Sequence, residues 1–298
     1  MAALACAAVR GMEPVTAAQE PHPEDDVDAA TVDDALGRRW LVRAARTPGA
    51  SARLETEARL LDGLTSWLPF QVPVVTGSTT LPDGGHAVVQ RAITGMPLEP
   101  ADLVAGPGLT AALGRALAAV HDLPDRLVEE AGMPVYEAEE YRQRRLAEVD
   151  RAAQTGHVPP RLLARWERAI EEAGAWRFVP CVVNGDLAAE SVLVDPADRQ
   201  RICAITSWGQ ARVADPADDL GWLANGADEA AFESVLEAYA HARATPPDRD
   251  LGRRARLAGE LSLARWLLHG TTTDDAAVVD DAVSMLGLLD ATLAHDTW

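Results

Sequence analysis

Apolar residues recur along this chain with two different periods, and the change of period divides it. Near the N-terminus two short runs, Trp40-Leu41-Val42-Arg43 and Ala87-Val88-Val89-Gln90, read as strands. Between them Leu54, Ala58, Leu61 and Leu64 fall close to one helical stripe, which predicts a helix over residues 52–64. From Leu109 onward helical spacing dominates. Leu113, Leu117 and Val120 share a face, and Leu123-Pro124 stops that helix. Further helices are expected over 136–155, 160–174, 232–244, 251–269 and 276–295, the second opened by Pro159-Pro160, where proline is tolerated. Short strands interrupt them at Val182-Val183, at Val192-Leu193-Val194 and over 201–206. Residues 13–30, rich in Pro, Glu, Asp and Ala, read as a loop or a poorly ordered segment. The pattern predicts an α+β chain with a small β-rich N-terminal lobe (residues 1–95) and a larger, mainly helical C-terminal lobe (residues 96–298). The turn Thr94-Gly95-Met96-Pro97 begins the crossing between them.

Composition narrows the classes. A chain of 298 residues, 48% of them hydrophobic, is long enough to bury a substantial core. A net charge of −19 argues against nucleic acid or an anionic membrane as partner, since both are polyanions. It suits a cationic small molecule, and equally a surface that is acidic only for solubility. The three cysteines, Cys6, Cys181 and Cys203, are too widely spaced for a disulfide framework or a metal site. Cys181 and Cys203 sit in strand-like runs and read as buried hydrophobes. The apolar start Met1-Ala2-Ala3-Leu4 lacks the basic region of a secretory signal, and no run approaches the ~20 apolar residues that span a bilayer. A cytoplasmic protein is expected, and the Lys-free, Arg-rich usage suggests a GC-rich bacterial genome.

Two motifs in series carry the chemistry. The first is Val182-Val183-Asn184-Gly185-Asp186-Leu187-Ala188-Ala189-Glu190-Ser191. The second is Ala204-Ile205-Thr206-Ser207-Trp208-Gly209, followed by Arg212-Val213-Ala214-Asp215-Pro216-Ala217-Asp218-Asp219-Leu220. With Leu117-Ala118-Ala119-Val120-His121 and the Glu57-Ala58-Arg59 helix, they resemble the aminoglycoside and macrolide phosphotransferases. That branch of the protein-kinase-like fold includes choline kinases, and the likeness is greatest to actinobacterial macrolide phosphotransferase-like proteins. The resemblance implies a two-lobed kinase-like fold and ATP or GTP with Mg²⁺ as cofactor, if the protein is active.

Residue by residue, the resemblance makes Asp186 the carboxylate that orients and deprotonates an acceptor hydroxyl. Arg43 becomes the phosphate contact and Glu57 its ion-pair partner, while Asn184 and Asp215 brace the loop. Ser191 and Ser207 stand where relatives place metal ligands, an Asn or His and an Asp respectively. Mg²⁺ is a hard ion that normally takes protein carboxylates, so two neutral hydroxyls make a degenerate site. Glu190 adjoins Ser191 but should point away on an extended chain. The stretch Asp28–Gly37, expected to cover the phosphates, is acidic and has no glycine before Gly37.

His121, His241 and His269 read as ordinary helix residues without a second ligand at metal spacing. Trp166, Trp176, Trp222 and Trp266 read as core. Among the acids of the C-terminal region, Asp218, Asp219 and Glu260 are candidates to receive a cationic sugar amine, or to be solvated or paired with Arg256 and Arg265.

The expected function is a phosphotransferase-like protein whose Mg²⁺-dependent transfer is absent or severely weakened, a pseudokinase-like binder of a small molecule or partner. A cationic antibiotic is one candidate ligand, and no nucleotide cofactor at all is one outcome. Two alternatives stand beside it: an active ATP- or GTP-dependent O-phosphotransferase acting on an antibiotic hydroxyl, and a kinase-fold enzyme recruited to a different reaction.

Overall fold

The computed structural model describes residues 1–20, 26–82 and 84–293. In chain order the first elements are α1 (Ala2–Ala8), β1 (Pro14–Glu20), β2 (Val27–Asp34), β3 (Arg39–Ala45), α2 (Pro48–Leu64), β4 (Val75–Thr80), β5 (His86–Arg91) and β6 (Met96–Pro97). Next come α3 (Leu109–His121), α4 (Arg126–Ala131), α5 (Ala138–Gln154), α6 (Pro160–Glu171), β7 (Cys181–Val183), β8 (Val192–Val194), β9 (Ile202–Ile205) and β10 (Arg212–Ala214). The chain then runs through α7 (Gly221–Gly226), α8 (Glu229–Ala242), α9 (Leu251–Thr273) and α10 (Ala276–Leu293). The predicted end of the last helix, His295, lies outside the described residues.

These elements form two compact units that interleave along the chain. The first gathers residues 1–98, 123–134 and 190–211. Its core is an antiparallel sheet in the order β1-β2-β3-β5-β4. Strand side chains alternate between faces, so each face binds its own helix. Val32, Trp40, Val42 and Val89 pack with Ala5, Val9 and Met12 on one face. Val27, Ala45 and Val88 meet Ala50 and Leu54 of α2 on the other. The start of α2 is fixed locally: the Thr47 hydroxyl accepts the Ala50 amide at 3.1 Å, and Pro48 opens the first turn. A smaller sheet, β6-β8-β9, belongs to the same unit.

Two expectations for this region are corrected. Much of the acidic stretch 13–30 is strand, because β1 gains a full ladder on β2 and its polar side chains find cross-strand partners. Thr16 Oγ1 donates to Asp33 at 3.0 Å and Thr31 Oγ1 to Glu20 at 2.8 Å. The expected phosphate-covering stretch, Asp28–Gly37, is β2 and its turn into β3. Gly37 takes φ 71° there, and Asp34 accepts the amides of Leu36 and Arg38. The β1–β2 connection is residues 21–26, of which 21–25 lie outside the described residues.

The second unit gathers residues 99–122, 135–189 and 212–293 among those described, and is mainly helical apart from the β7-β10 pair. Its core packs Trp166, Ile170, Trp176 and Phe178 against Leu257, Leu261 and Leu267. Trp266 departs from the core role expected of it. It is 38% exposed, stacks on His269 and donates its indole N–H to Asp281. Helices α3 and α8 approach closely at Gly114, where a Cβ would lie 2.6 Å from the Val235 carbonyl oxygen. Cys181 and Cys203 are buried and unbridged, as expected. Among the described residues no helix is long and apolar enough to cross a membrane.

Candidate active site

In the first unit, the pairing of Val192 with Ile205 brings the two ends of the β8–β9 hairpin together, so Ser191 and Ser207 stand at the same end. The Ser191 carbonyl accepts both the amide and the hydroxyl of Thr206, at 2.9 and 3.2 Å. Ser207 itself sits at φ 61°, in the left-handed region that non-glycine residues avoid and that Asp and Asn tolerate best. The residues after it hold that turn. Trp208 is fully buried and donates its indole N–H to the Ile205 carbonyl at 3.0 Å. A Cβ on Gly209 would lie 3.7 Å from Glu57 Oε2.

That carboxylate is already engaged: Arg43 Nη1, from β3, donates to Glu57 Oε2 at 2.8 Å. Both side chains are largely buried, with 11% and 4% exposed. The structure thus brings Arg43 and Glu57 together and sets the 207–209 segment beside them. Arg43 Nε is buried without a hydrogen-bond partner, which fits an anionic oxygen such as that of a phosphate. Mg²⁺ fits less well. Ser191 and Ser207 offer neutral oxygens where the ion normally takes carboxylate charge, Glu190 is exposed, and Asp195 is turned to Arg201 and the Ala197 amide.

In the second unit, the loop after β7 carries Asp186, which is exposed. Gly185 before it takes φ 85°, a conformation that costs glycine nothing. Asn184 is fully buried, and its Oδ1 accepts the Asp186 amide at 3.4 Å. The loop is anchored by Asp219, whose two carboxylate oxygens accept the Asn184 and Gly185 amides, each at 2.7 Å. His121 of α3 stands behind it, with Nε2 3.2 Å from Asp219 Oδ2 and Nδ1 2.8 Å from the Tyr239 hydroxyl. Asp215, expected to brace the loop, is instead paired with Arg254 through two bonds of 2.7 and 3.1 Å, and it caps the next turn through the Ala217 amide.

The three acids expected to meet a cationic group are all turned inward. Asp219 holds the loop. Glu260 takes Arg165 at 2.8 Å and the Trp166 indole N–H at 2.8 Å. Asp218 is bound by Arg145 and Arg212, each at 2.6 Å, and by the Tyr141 hydroxyl. Burial pushes the Asp218 carboxyl up, but the two guanidiniums outweigh it and hold it below the carboxylate range. A buried carboxylate saturated by its own chain has no free acceptor to offer a ligand amine. Sequence reasoning missed the role of Asp219 and of His121, which is a buried network member and not an ordinary helix residue. The only signal was the two short motifs that contain them.

A sequence model of the phosphotransferase enzyme family matches residues 24–257. Viomycin phosphotransferase from Streptomyces vinaceus is 28% identical over 213 residues, covering 67% of this chain and 72% of that protein. The apoenzyme structure of macrolide 2'-phosphotransferase MphH from Brachybacterium faecium superposes with a TM-score of 0.75 at 25% identity, over 93% of each chain. The GDP and kanamycin complex of APH(2")-IIia superposes with a TM-score of 0.81 at 18% identity, over 97% of this chain and 98% of that one. The fold is therefore α+β and kinase-like, with an N-terminal antiparallel sheet and a mainly helical C-terminal part.

Proposed function

The chain belongs to the phosphotransferase enzyme family, and on that premise we propose that it keeps the family scaffold as a small-molecule binder whose Mg²⁺-dependent phosphoryl transfer is absent or severely weakened. The observation that carries this reading is Ser207: a left-handed backbone suited to Asp, holding a side chain without charge. Phosphoryl transfer relies on charge neutralisation around the phosphates more than on covalent help from the protein. With neutral oxygens at both 191 and 207, that neutralisation is missing. Asp186 would still accept a hydrogen bond from an acceptor hydroxyl, and Arg43 would still contact a phosphate. Neither replaces the missing carboxylate.

A second reading is an active ATP- or GTP-dependent O-phosphotransferase acting on an antibiotic hydroxyl, as the names of the relatives suggest. The Arg43–Glu57 pair favours it, since the phosphate contact is held in place. Calorimetric titration with ATP and GTP, with and without Mg²⁺, separates the two. We expect the metal to change nucleotide affinity less than about tenfold, or 1.4 kcal/mol. The double variant Ser207→Asp, Ser191→His should then gain metal-dependent binding. Strong metal dependence in the unaltered protein would revive the active reading.

A further inference from the structure

A cluster of charged side chains borders the Asp186 loop and is not used by the reading above. Tyr141, Arg145 and Glu148 lie on one face of α5, spaced as neighbours on successive turns. They meet Arg212 and Asp218, and Arg265 of α9 completes the group. Arg212 Nη2 also donates to the Gly185 carbonyl at 2.9 Å, so the cluster is joined to the residue preceding Asp186.

Its charges do not balance. Asp218 is saturated by Arg145, Arg212 and Tyr141. Glu148 Oε2 accepts Arg145 Nη1 at 2.7 Å. Glu148 Oε1 has no hydrogen-bond partner and lies 3.6 Å from Arg265 Nη1. Three guanidiniums therefore face two carboxylates. Arg265 is the surplus cation: it makes no hydrogen bond among the described residues, and 44% of its side chain is exposed. Despite that exposure its guanidinium titrates below the ordinary value, through burial first and the like charge of Arg145 second. Beside the cluster, Arg144 lies 4.5 Å over the Tyr136 ring, which itself tilts against Tyr141 at 5.7 Å. Two exposed guanidiniums, Arg144 and Arg265, thus flank the buried cluster in a protein of net charge −19.

We propose that Arg265, backed by Arg145 and Arg212, is an oxyanion-binding site that selects a ligand bearing a carboxylate or phosphate group over a polycationic one. A guanidinium with free donors takes such a group through paired hydrogen bonds, while an amine cation meets like charge. The inference rests on the family reading only in treating the Asp186 loop as the acceptor side. It requires neither nucleotide nor metal.

The test is titration of the full chain, without nucleotide or Mg²⁺, with gluconate, inorganic phosphate, glucose and kanamycin. Gluconate and phosphate together distinguish a carboxylate from a phosphate preference. We expect saturable binding of at least one anion, none of glucose, and none of kanamycin. Arg265→Ala should weaken anion binding by about tenfold or more, and Glu148→Gln, which removes the acid paired with Arg265, should tighten it. Arg256→Ala, on the same helix but paired with Glu229 and Glu233, should change nothing. Equal anion binding in the Arg265 and Arg256 variants, no anion binding at all, or saturable kanamycin binding would each overturn the proposal. Because these arms contain no nucleotide, failure here leaves the loss-of-transfer reading to its own experiment.

Discussion

Replacing Asp219 by alanine would strand two backbone amides and the His121 imidazole in a fully buried site. Unpaired buried donors are costly, so this change should cost about 3 kcal/mol or more, read as a shift of the urea midpoint. Asp186→Asn is exposed and nearly isosteric, and should move the same midpoint by less than about 0.5 kcal/mol. The contrast shows what a motif reveals. Asp186 was legible because its neighbours form a recognisable loop. The task of Asp219 was not, because an acid spent on amides 34 and 35 residues away looks, in one dimension, like an acid free to meet a ligand. The same holds for Asp218 and Glu260, whose partners Arg145 and Arg165 are 73 and 95 residues distant. Ser191 and Ser207 were visible as substitutions. The left-handed backbone that Ser207 adopts was visible only in three dimensions.

At the scale of elements, the close passage of α3 over α8 gives a direct check. A methyl group at Gly114 would meet the Val235 carbonyl at 2.6 Å and the Ala238 Cβ at 2.8 Å. Gly114→Ala should destabilise by about 1–3 kcal/mol through forced separation of the two helices, against which its gain in helix propensity is small. Periodicity marked most of the long helices and the strands around Val42 and Val89, since one apolar face against a core repeats in the sequence. It missed β1 and β2. An edge strand with six exposed residues shows no apolar face, and its stability comes from pairing with a neighbour. It also missed α1, whose seven residues lack a side-chain N-cap and owe their place to Trp40, Val42 and Val89 beneath them.

For the molecule as a whole, an excess of negative charge opposes compaction, and salt screens it. The melting temperature at neutral pH should therefore rise between low and moderate NaCl, as followed by circular dichroism. Acidification brings a second effect. The Asp34 carboxyl is held down to about 2, with burial opposed and overcome by the Arg38 and Leu36 amides, the Arg38 guanidinium and the Trp40 indole. A depressed carboxylate adds stability that is complete above its ordinary value of 3.8 and disappears as pH falls toward 2. Asp34→Asn should flatten that part of the stability–pH curve and leave the neutral part less affected.

The interleaving of the two units has a consequence for synthesis. The first unit closes only when residues 190–211 have joined residues 1–98, because β6 pairs with β8 and β8 with β9. A nascent chain emerging from the ribosome thus carries its N-terminal sheet for more than ninety residues before its last strands arrive. The small β6-β8-β9 sheet of this unit is completed only after residues 99–189 have been made. Release of a chain truncated at residue 98 should yield a protease-sensitive fragment that recruits holdases, whereas one ending after residue 211 contains every segment from which that unit is built.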